Sequence, residues 1–119
     1  LGADPLVSGV VMACHQQWRS LEGLIIRKEP KGHGTRNQIE GPELPEGANI
    51  TVLEDVTTTG QSALKAVYIL RDAGYTVDRV VTIVDRQDYD TRAIMEQEGL
   101  DFFSLFTISD LSNANEQSN

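Results

Sequence analysis

Two adjacent carboxylates, Glu54 and Asp55, stand directly before a turn rich in hydroxyl groups, residues 56–62, which reads VTTTGQS. The apolar run at residues 50–53 precedes the acids and predicts a buried strand, and a helical pattern follows the turn. Backbone N–H groups at the start of a helix carry partial positive charge and have no partner within the helix, so they bind phosphate. The threonine and serine hydroxyls can donate to the same oxygens. Gly60 allows a positive φ and a close approach of the backbone.

The carboxylates restrict the kind of ligand that such a turn would bind. Two carboxylates beside a bare phosphate would repel it, but they suit a ligand that also offers hydroxyls or a divalent cation. A phosphorylated sugar with bound magnesium provides both. The alternative is a buried strand, an aspartate cap and an ordinary turn. The length of the whole stretch from Ile50 to Ser62 favours the phosphate site.

A second group of candidate residues is basic. The chain has 10 Lys and Arg against 18 Asp and Glu, a net charge of −8, and this acidity argues against general nucleic-acid binding. Four of the basic residues, however, fall in one short segment with a histidine, and a local cationic cluster on an acidic protein favours a small anionic ligand. The alternative is a set of solvated loop charges. The cluster comprises Arg27, Lys28, Lys31, His33 and Arg36.

Length and composition set further limits. The 119 residues suit one domain with its own core, and 39% hydrophobic and 24% charged residues are ordinary for a soluble globular protein. The apolar runs are too short to span a bilayer, and no secretory signal pattern is present. The single cysteine, Cys14, excludes an internal disulfide and fits a reducing compartment, and with two histidines it makes no zinc constellation. The first residue is Leu1, which suggests a fragment, a processed form or an incomplete record.

Alternating strand and helix patterns predict an α/β fold with a parallel sheet covered by helices on both faces. Ligands of such open sheets bind at the carboxyl ends of the strands. The acidic pair, Arg27 and Asp85 all follow or end predicted strands, so they are expected at one edge. Strands are predicted at 24–26, 50–53, 79–85 and 102–108, and helices at 5–18, 63–73 and from Asp88 or Asp90 to Ile94. Residues 30–49 are predicted as a long loop with one hairpin arm at 38–40, Ser109 as the cap of a last turn, and 112–119 as a polar tail.

Three stretches resemble a known family. Residues 50–62, ITVLEDVTTTGQS, resemble the phosphoribosyl pyrophosphate signature of type I phosphoribosyltransferases. Residues 26–34, IRKEPKGHG, resemble the mobile catalytic loop of orotate phosphoribosyltransferases, followed by a similar IEG at 39–41. Residues 84–86 resemble the VDR of the same family. The resemblance runs in register from Leu1 to about Leu111.

The resemblance implies a Rossmann-like parallel sheet with flanking helices, the type I phosphoribosyltransferase core, lacking the N-terminal part of the family fold. It implies a core domain at 1–111, a mobile loop at about 28–48 and a tail at 112–119. The implied reaction transfers a 5-phosphoribosyl group from phosphoribosyl pyrophosphate to orotate, with Mg²⁺, giving orotidine 5′-monophosphate and pyrophosphate. The expected protein is a cytoplasmic homodimer without nucleic-acid or membrane partners. The implied dimer matters because the mobile loop would reach into the partner subunit's active site.

The resemblance also implies roles for single residues. Lys28, Lys31 and His33, with Arg27, would neutralise the leaving pyrophosphate. Glu54 and the catalytic Asp55 would hold ribose hydroxyls, and they are the carboxylates nearest a magnesium ion held mainly by substrate. Arg86 would pair with the orotate carboxylate, a contact suited to a guanidinium fork. The ribose 5′-phosphate would lie on Val56, Thr57, Thr58, Thr59, Gly60, Gln61 and Ser62.

Several alternatives stay open on the sequence. Arg86 could instead form a surface ion pair with Asp88 or Asp90. Residues 87–90, QDYD, replace the acidic residue and paired glycines that often follow VDR in the family. The chain could also be a non-catalytic module that binds phosphoribosyl pyrophosphate, an inactive remnant, or a phosphoribosyltransferase acting on a purine or uracil.

Overall fold

The computed structural model describes residues 23–27, 38–87 and 89–112 of the chain. The predicted helix at 5–18, most of the basic segment, Asp88 and residues 113–119 lie outside this described part. Within it, five strands and two helices follow one another, and a helical turn at 108–112 comes after them. These are β1 (Ile25–Ile26), β2 (Ile39–Glu40), β3 (Asn49–Thr57), α1 (Gln61–Asp72), β4 (Thr76–Asp85), α2 (Thr91–Gln97) and β5 (Asp101–Thr107).

The main sheet has three parallel strands in the order β3-β4-β5. Neighbouring parallel strands need a crossover connection, because the chain must return to the same end of the sheet. Helices α1 and α2 supply the two crossovers. The carboxyl ends of all three strands therefore lie at one edge, and the prediction of an α/β fold with a parallel sheet is confirmed.

The core lies between this sheet and the two helices. Val52, Val80 and Phe102 are aligned across the three strands, and each is at most 6% exposed. Helix α1 covers them with a stripe of buried residues, Ala63, Leu64, Val67 and Leu70, and α2 adds the fully buried Met95. Both described helices therefore pack into one core on one face of the sheet.

The opposite face of β5 carries large apolar side chains that remain accessible. Successive residues of a strand point to opposite faces. Since Phe102 faces the core, Phe103 and Leu105 point to the other face, and they are 50% and 61% exposed. The expected cover of helices on both faces is thus not found within residues 23–27, 38–87 and 89–112.

Strand β4 contains one extra residue near its start. Ile50 pairs with Val77, but the next residue, Thr51, pairs with Arg79, so Asp78 is left over. This bulge places Val77 and Val80 in the same core although they are three residues apart. It sets the register of the rest of β4 against β3.

Strand β1 corrects one sequence-based expectation. It was predicted to bring Arg27 to the carboxyl edge of the parallel sheet, but in the described residues β1 pairs with β2 in a separate antiparallel sheet. Ile39–Glu40 forms the antiparallel partner of β1, within the hairpin arm predicted at 38–40. A strand of two residues has too few ladder bonds and side chains for its sequence to determine which sheet it joins.

Short polar contacts define the later turns. Asp90 caps α2 by accepting from the Ala93 N–H at 3.2 Å, as one of the two predicted caps. The last helical turn, residues 108–112, is capped by Thr107 and not by Ser109 as predicted. The Thr107 N–H donates to Asp110 Oδ2 at 2.9 Å, and the Asp110 N–H donates to Thr107 Oγ1 at 3.2 Å, a reciprocal capping box.

No helix of the described part is long and apolar enough to cross a membrane.

Candidate phosphate and substrate site

The hydroxyl-rich turn connects the end of β3 to the start of α1. β3 continues through the acidic pair to Thr57, four residues beyond the predicted end of the strand, and α1 begins at Gln61. Gly60 is the N-cap, with φ 83°. It makes no side-chain capping hydrogen bond to the helix. The first turn of α1 also has no acidic residue. The partial positive charge at this helix start is therefore not neutralised by its own first turn, which suits an anionic ligand.

Two other elements hold this turn in place. The Arg86 N–H, just after β4, donates to the Thr57 carbonyl at 2.9 Å. The Thr91 hydroxyl, at the start of α2, donates to the Thr58 carbonyl at 3.4 Å. A side chain at Gly60 would place its Cβ 3.0 Å from Met95 Cε and 3.2 Å from Thr91 Cγ2. The turn thus lies against α2 so closely that only glycine fits there without rearrangement.

The Thr57 hydroxyl is buried without a hydrogen-bond partner among the described residues. Thr57 is 3% exposed, and a buried hydroxyl without a partner costs about 1–3 kcal/mol. The neighbouring Thr59 is engaged, since its Oγ1 accepts from the Gln61 N–H at 3.3 Å. A donor in this position fits the prediction that residues 56–62 bind phosphate oxygens.

The acidic pair does not act as one unit in the structure. Glu54 and Asp55 are consecutive residues of β3, so their side chains leave the strand on opposite faces. Burial, with repulsion from Asp55, raises the pKa of Glu54. Asp55 is exposed, and its Oδ1 accepts from the Val56 N–H at 2.7 Å. The two carboxylates would therefore approach a ligand from different sides of the strand.

Arg86 and Gln87 follow the end of β4, beside the hydroxyl-rich turn of residues 56–62 (the phosphate turn). Asp85 pairs with Thr57 on one side and Thr107 on the other, so the ends of the three strands meet here. Gln87 has φ 61°, and it is the one residue other than glycine with a positive φ in the described ranges. Its N–H donates to Asp85 Oδ1 at 3.0 Å, and its Oε1 accepts from Ser109 Oγ at 2.9 Å.

Arg27 is the part of the predicted basic cluster that the structure describes. Its guanidinium forms an ion pair with Glu40 of β2, and both side chains are partly exposed. The other cluster members, Lys28, Lys31, His33 and Arg36, lie outside the described residues. Their predicted place at the pyrophosphate remains a prediction.

Sequence reasoning missed three residues that build the site. Thr91 and Met95 contact the turn from α2, more than thirty residues away along the chain, and no local pattern predicts such a contact. Thr82 is fully buried, and its hydroxyl donates to the Val84 carbonyl at 3.2 Å and lies 3.4 Å from the Asp55 carbonyl. A lone threonine in the apolar run of β4 was the available signal for this polar contact.

No family model matches the chain. Individual proteins do match it. The chain is 56% identical over 111 residues to an orotate phosphoribosyltransferase of Nostoc, covering 93% of this chain and 53% of that protein. It is 51% identical over 117 residues to an orotate phosphoribosyltransferase of Synechocystis, covering 98% of this chain and 59% of the relative.

A solved structure gives the same result for the fold. The chain superimposes with a TM-score of 0.76 and 36% identity on Mycobacterium tuberculosis orotate phosphoribosyltransferase in complex with 5-phospho-α-D-ribosyl 1-diphosphate. The match covers 93% of this chain and 60% of the solved one. The chain thus spans little more than half the length of the relatives that it matches. The chain is thus similar to orotate phosphoribosyltransferases along nearly all of its own length.

Proposed function

We propose that this chain forms the phosphoribosyl pyrophosphate-binding core of an orotate phosphoribosyltransferase. The observation that carries the proposal is the turn of residues 57–60 at the start of α1, with Arg86 bonded to its backbone. The solved Mycobacterium tuberculosis orotate phosphoribosyltransferase, on which this chain superimposes, is in complex with phosphoribosyl pyrophosphate. The proposed substrates are that compound and orotate.

In the proposed reaction, the bond from ribose C1 to pyrophosphate breaks and a bond from C1 to N1 of orotate forms. C1 becomes cationic, and the leaving pyrophosphate gains negative charge. The phosphate turn would hold the ribose 5′-phosphate through the N–H groups of the first turn of α1 and the hydroxyls before it. Arg86, linked to the turn through Thr57, would hold the orotate carboxylate at a fixed distance from that phosphate.

The cations that would neutralise pyrophosphate are those of the basic segment. Lys28, Lys31 and His33, with Arg27, keep the roles that the resemblance implies. The proposed enzyme is a homodimer in which this segment reaches the partner subunit's site. The Arg27–Glu40 ion pair lies at the base of the segment, where it would anchor the loop.

The residues present fit a magnesium ion that is held mainly by its substrate. The described residues contain no group of three or more His, Cys, Asp or Glu side chains that could hold a metal ion alone. Mg²⁺ is often bound through one or two carboxylates together with substrate phosphates. Glu54 or Asp55 would supply that carboxylate and would also accept from ribose hydroxyls. The ion would neutralise charge on the pyrophosphate when bound.

The second candidate is a non-catalytic module that binds phosphoribosyl pyrophosphate. The chain spans 53–60% of the length of the compared proteins. The 119 residues would then bind phosphoribosyl pyrophosphate weakly and would not transfer it. Closure around the substrates excludes water and places the base, and both depend on the surrounding cover. We expect little or no orotate transfer by the 119-residue chain alone.

One experiment tests both candidates. The 119-residue chain is compared with an extended chimera, in which the N-terminal residues of the Nostoc relative precede Leu1. Loss of orotate absorbance is followed with magnesium and phosphoribosyl pyrophosphate, and calorimetry measures binding of the latter. Turnover by the chimera alone supports the proposal as stated. An inactive chimera that still binds phosphoribosyl pyrophosphate would favour the binding module, and full activity of the short chain would show that the added segment is dispensable.

A further inference from the structure

The turn after β4 is fixed by contacts that no sequence motif predicts. Gln87 has φ 61°, a conformation that residues with a Cβ adopt rarely and at a cost. Such a conformation persists when the surrounding contacts determine it. Here the contacts come from both sides of the residue.

The first contact fixes the backbone of the turn. The Gln87 N–H donates to Asp85 Oδ1 at 3.0 Å, so the chain folds back over the end of β4. Between them, the Arg86 N–H donates to the Thr57 carbonyl at 2.9 Å. Arg86 is thus attached to the phosphate turn through its own backbone and is followed by a residue of fixed conformation.

The second contact ties the turn to β5. Gln87 Oε1 accepts from the Ser109 hydroxyl at 2.9 Å and lies 3.4 Å from the Ser109 N–H. Ser109 itself lies in the turn whose start is set by the reciprocal bonds of Thr107 and Asp110. Hydrogen bonds therefore connect Ser109, two residues after the end of β5, through Gln87 to Asp85.

We propose that Gln87 is a positioning residue for Arg86, and that its bond to Ser109 sets the direction in which the Arg86 side chain meets the orotate carboxylate. This inference rests on the proposed function, because it needs Arg86 to contact orotate. Gln87 acts through the backbone of Arg86 and touches neither substrate. Its loss should weaken the use of orotate more than that of phosphoribosyl pyrophosphate, since the phosphate turn keeps its own contact with Thr91.

The test measures KM for each substrate in the extended chimera. Gln87→Ala should raise KM for orotate roughly two- to tenfold, the range expected for loss of one hydrogen bond, and leave KM for phosphoribosyl pyrophosphate nearly unchanged. Ser109→Ala should have a similar effect, and the double variant should be little worse than either single one. Gln97→Ala on the exposed side of α2 is the matched control.

A conservative replacement separates positioning from simple folding. Gln87→Glu keeps the Oε1 acceptor and should stay closer to the wild type than Gln87→Ala, whereas Gln87→Gly relieves the backbone strain but loses the bond to Ser109. If Gln87→Ala matches Gln97→Ala, or if both KM values rise together with a lower urea midpoint, the positioning role is wrong. If the chimera without substitutions does not consume orotate, the proposed function fails and this inference fails with it.

Discussion

Replacing Gly60 by alanine tests whether the phosphate turn lies against α2 as described. The φ of 83° costs a residue with a Cβ about 1 kcal/mol. The new methyl group would also lie 3.0 Å from Met95 Cε and 3.2 Å from Thr91 Cγ2. Overpacking of this kind costs about 1–3 kcal/mol. The expected loss of unfolding free energy is therefore about 2–4 kcal/mol, a large part of the stability of a small domain.

Gly99 provides the matched control for this measurement. It also has a positive φ, 71°, but apart from its two chain neighbours no described residue has a heavy atom within 4 Å of a Cβ added there. Gly99→Ala should therefore show the backbone cost alone, about 1 kcal/mol. Urea unfolding should place the midpoint of Gly60→Ala about 1 M below that of Gly99→Ala. Equal midpoints would refute the packing of the turn against Thr91 and Met95.

Three further predictions concern the charged and hydroxyl groups of the site. Because burial raises the pKa of the Glu54 carboxyl above that of an exposed glutamate, the folded state favours protonated Glu54, and the stability that this protonated form contributes is lost as pH rises through the raised pKa. Glu54→Gln should therefore raise the urea midpoint of the ligand-free protein at pH 7 but not at pH 4, while weakening binding of phosphoribosyl pyrophosphate. Asp55→Asn and Thr59→Val should each weaken that binding by calorimetry, roughly two- to tenfold, because each removes one polar contact. Alanine at Lys31 or His33 in the extended chimera should lower kcat more than it changes KM, if these residues act on the leaving pyrophosphate in the transition state.

Each of these predictions has a control or a contrary result. For Glu54→Gln, the exposed Glu96→Gln on α2 should leave the midpoint unchanged at both pH values, and equal behaviour of the two variants would contradict the assigned burial. Unchanged affinity in both Asp55→Asn and Thr59→Val would remove the phosphate-site assignment. A rise in KM with unchanged kcat would count against a transition-state role for Lys31 and His33.

Local patterns were sufficient to predict the strands and helices that carry the site. The apolar runs of β3, β4 and β5 each contain residues that are buried in one core, and the helix predicted at 63–73 overlaps α1 and contributes the buried Ala63, Val67 and Leu70. The hydroxyl turn also lies between strand and helix as expected. These features follow from periodicity and from the preference of glycine for positive φ, both of which act within a few residues.

The rest depended on contacts between distant residues. Nothing in the type of Gln87 indicates a positive φ, since that conformation is held by Asp85 and by Ser109 of another strand end. β1 is too short to determine its own sheet. The separation of Glu54 from Asp55 could have been predicted if β3 had been extended past Leu53, because alternation in a strand is strict.

The extra residue in β4 limits which changes in chain length this protein can tolerate during evolution. Deleting Asp78 would make the ladder with β3 regular, and Val77 and Val80 would both still face the core, because they would then be two residues apart in a strand whose side chains alternate. The later pairs with β3 would be kept, so Arg86 would stay at its place beside the phosphate turn. Deleting one residue after Val80 would instead move every later residue of β4 to the other face and would shift Arg86 by one residue, about 3.3 Å. Loss of one residue should thus be tolerated at the exposed Asp78 in descendants of this sequence, whereas the same loss later in β4 should be eliminated.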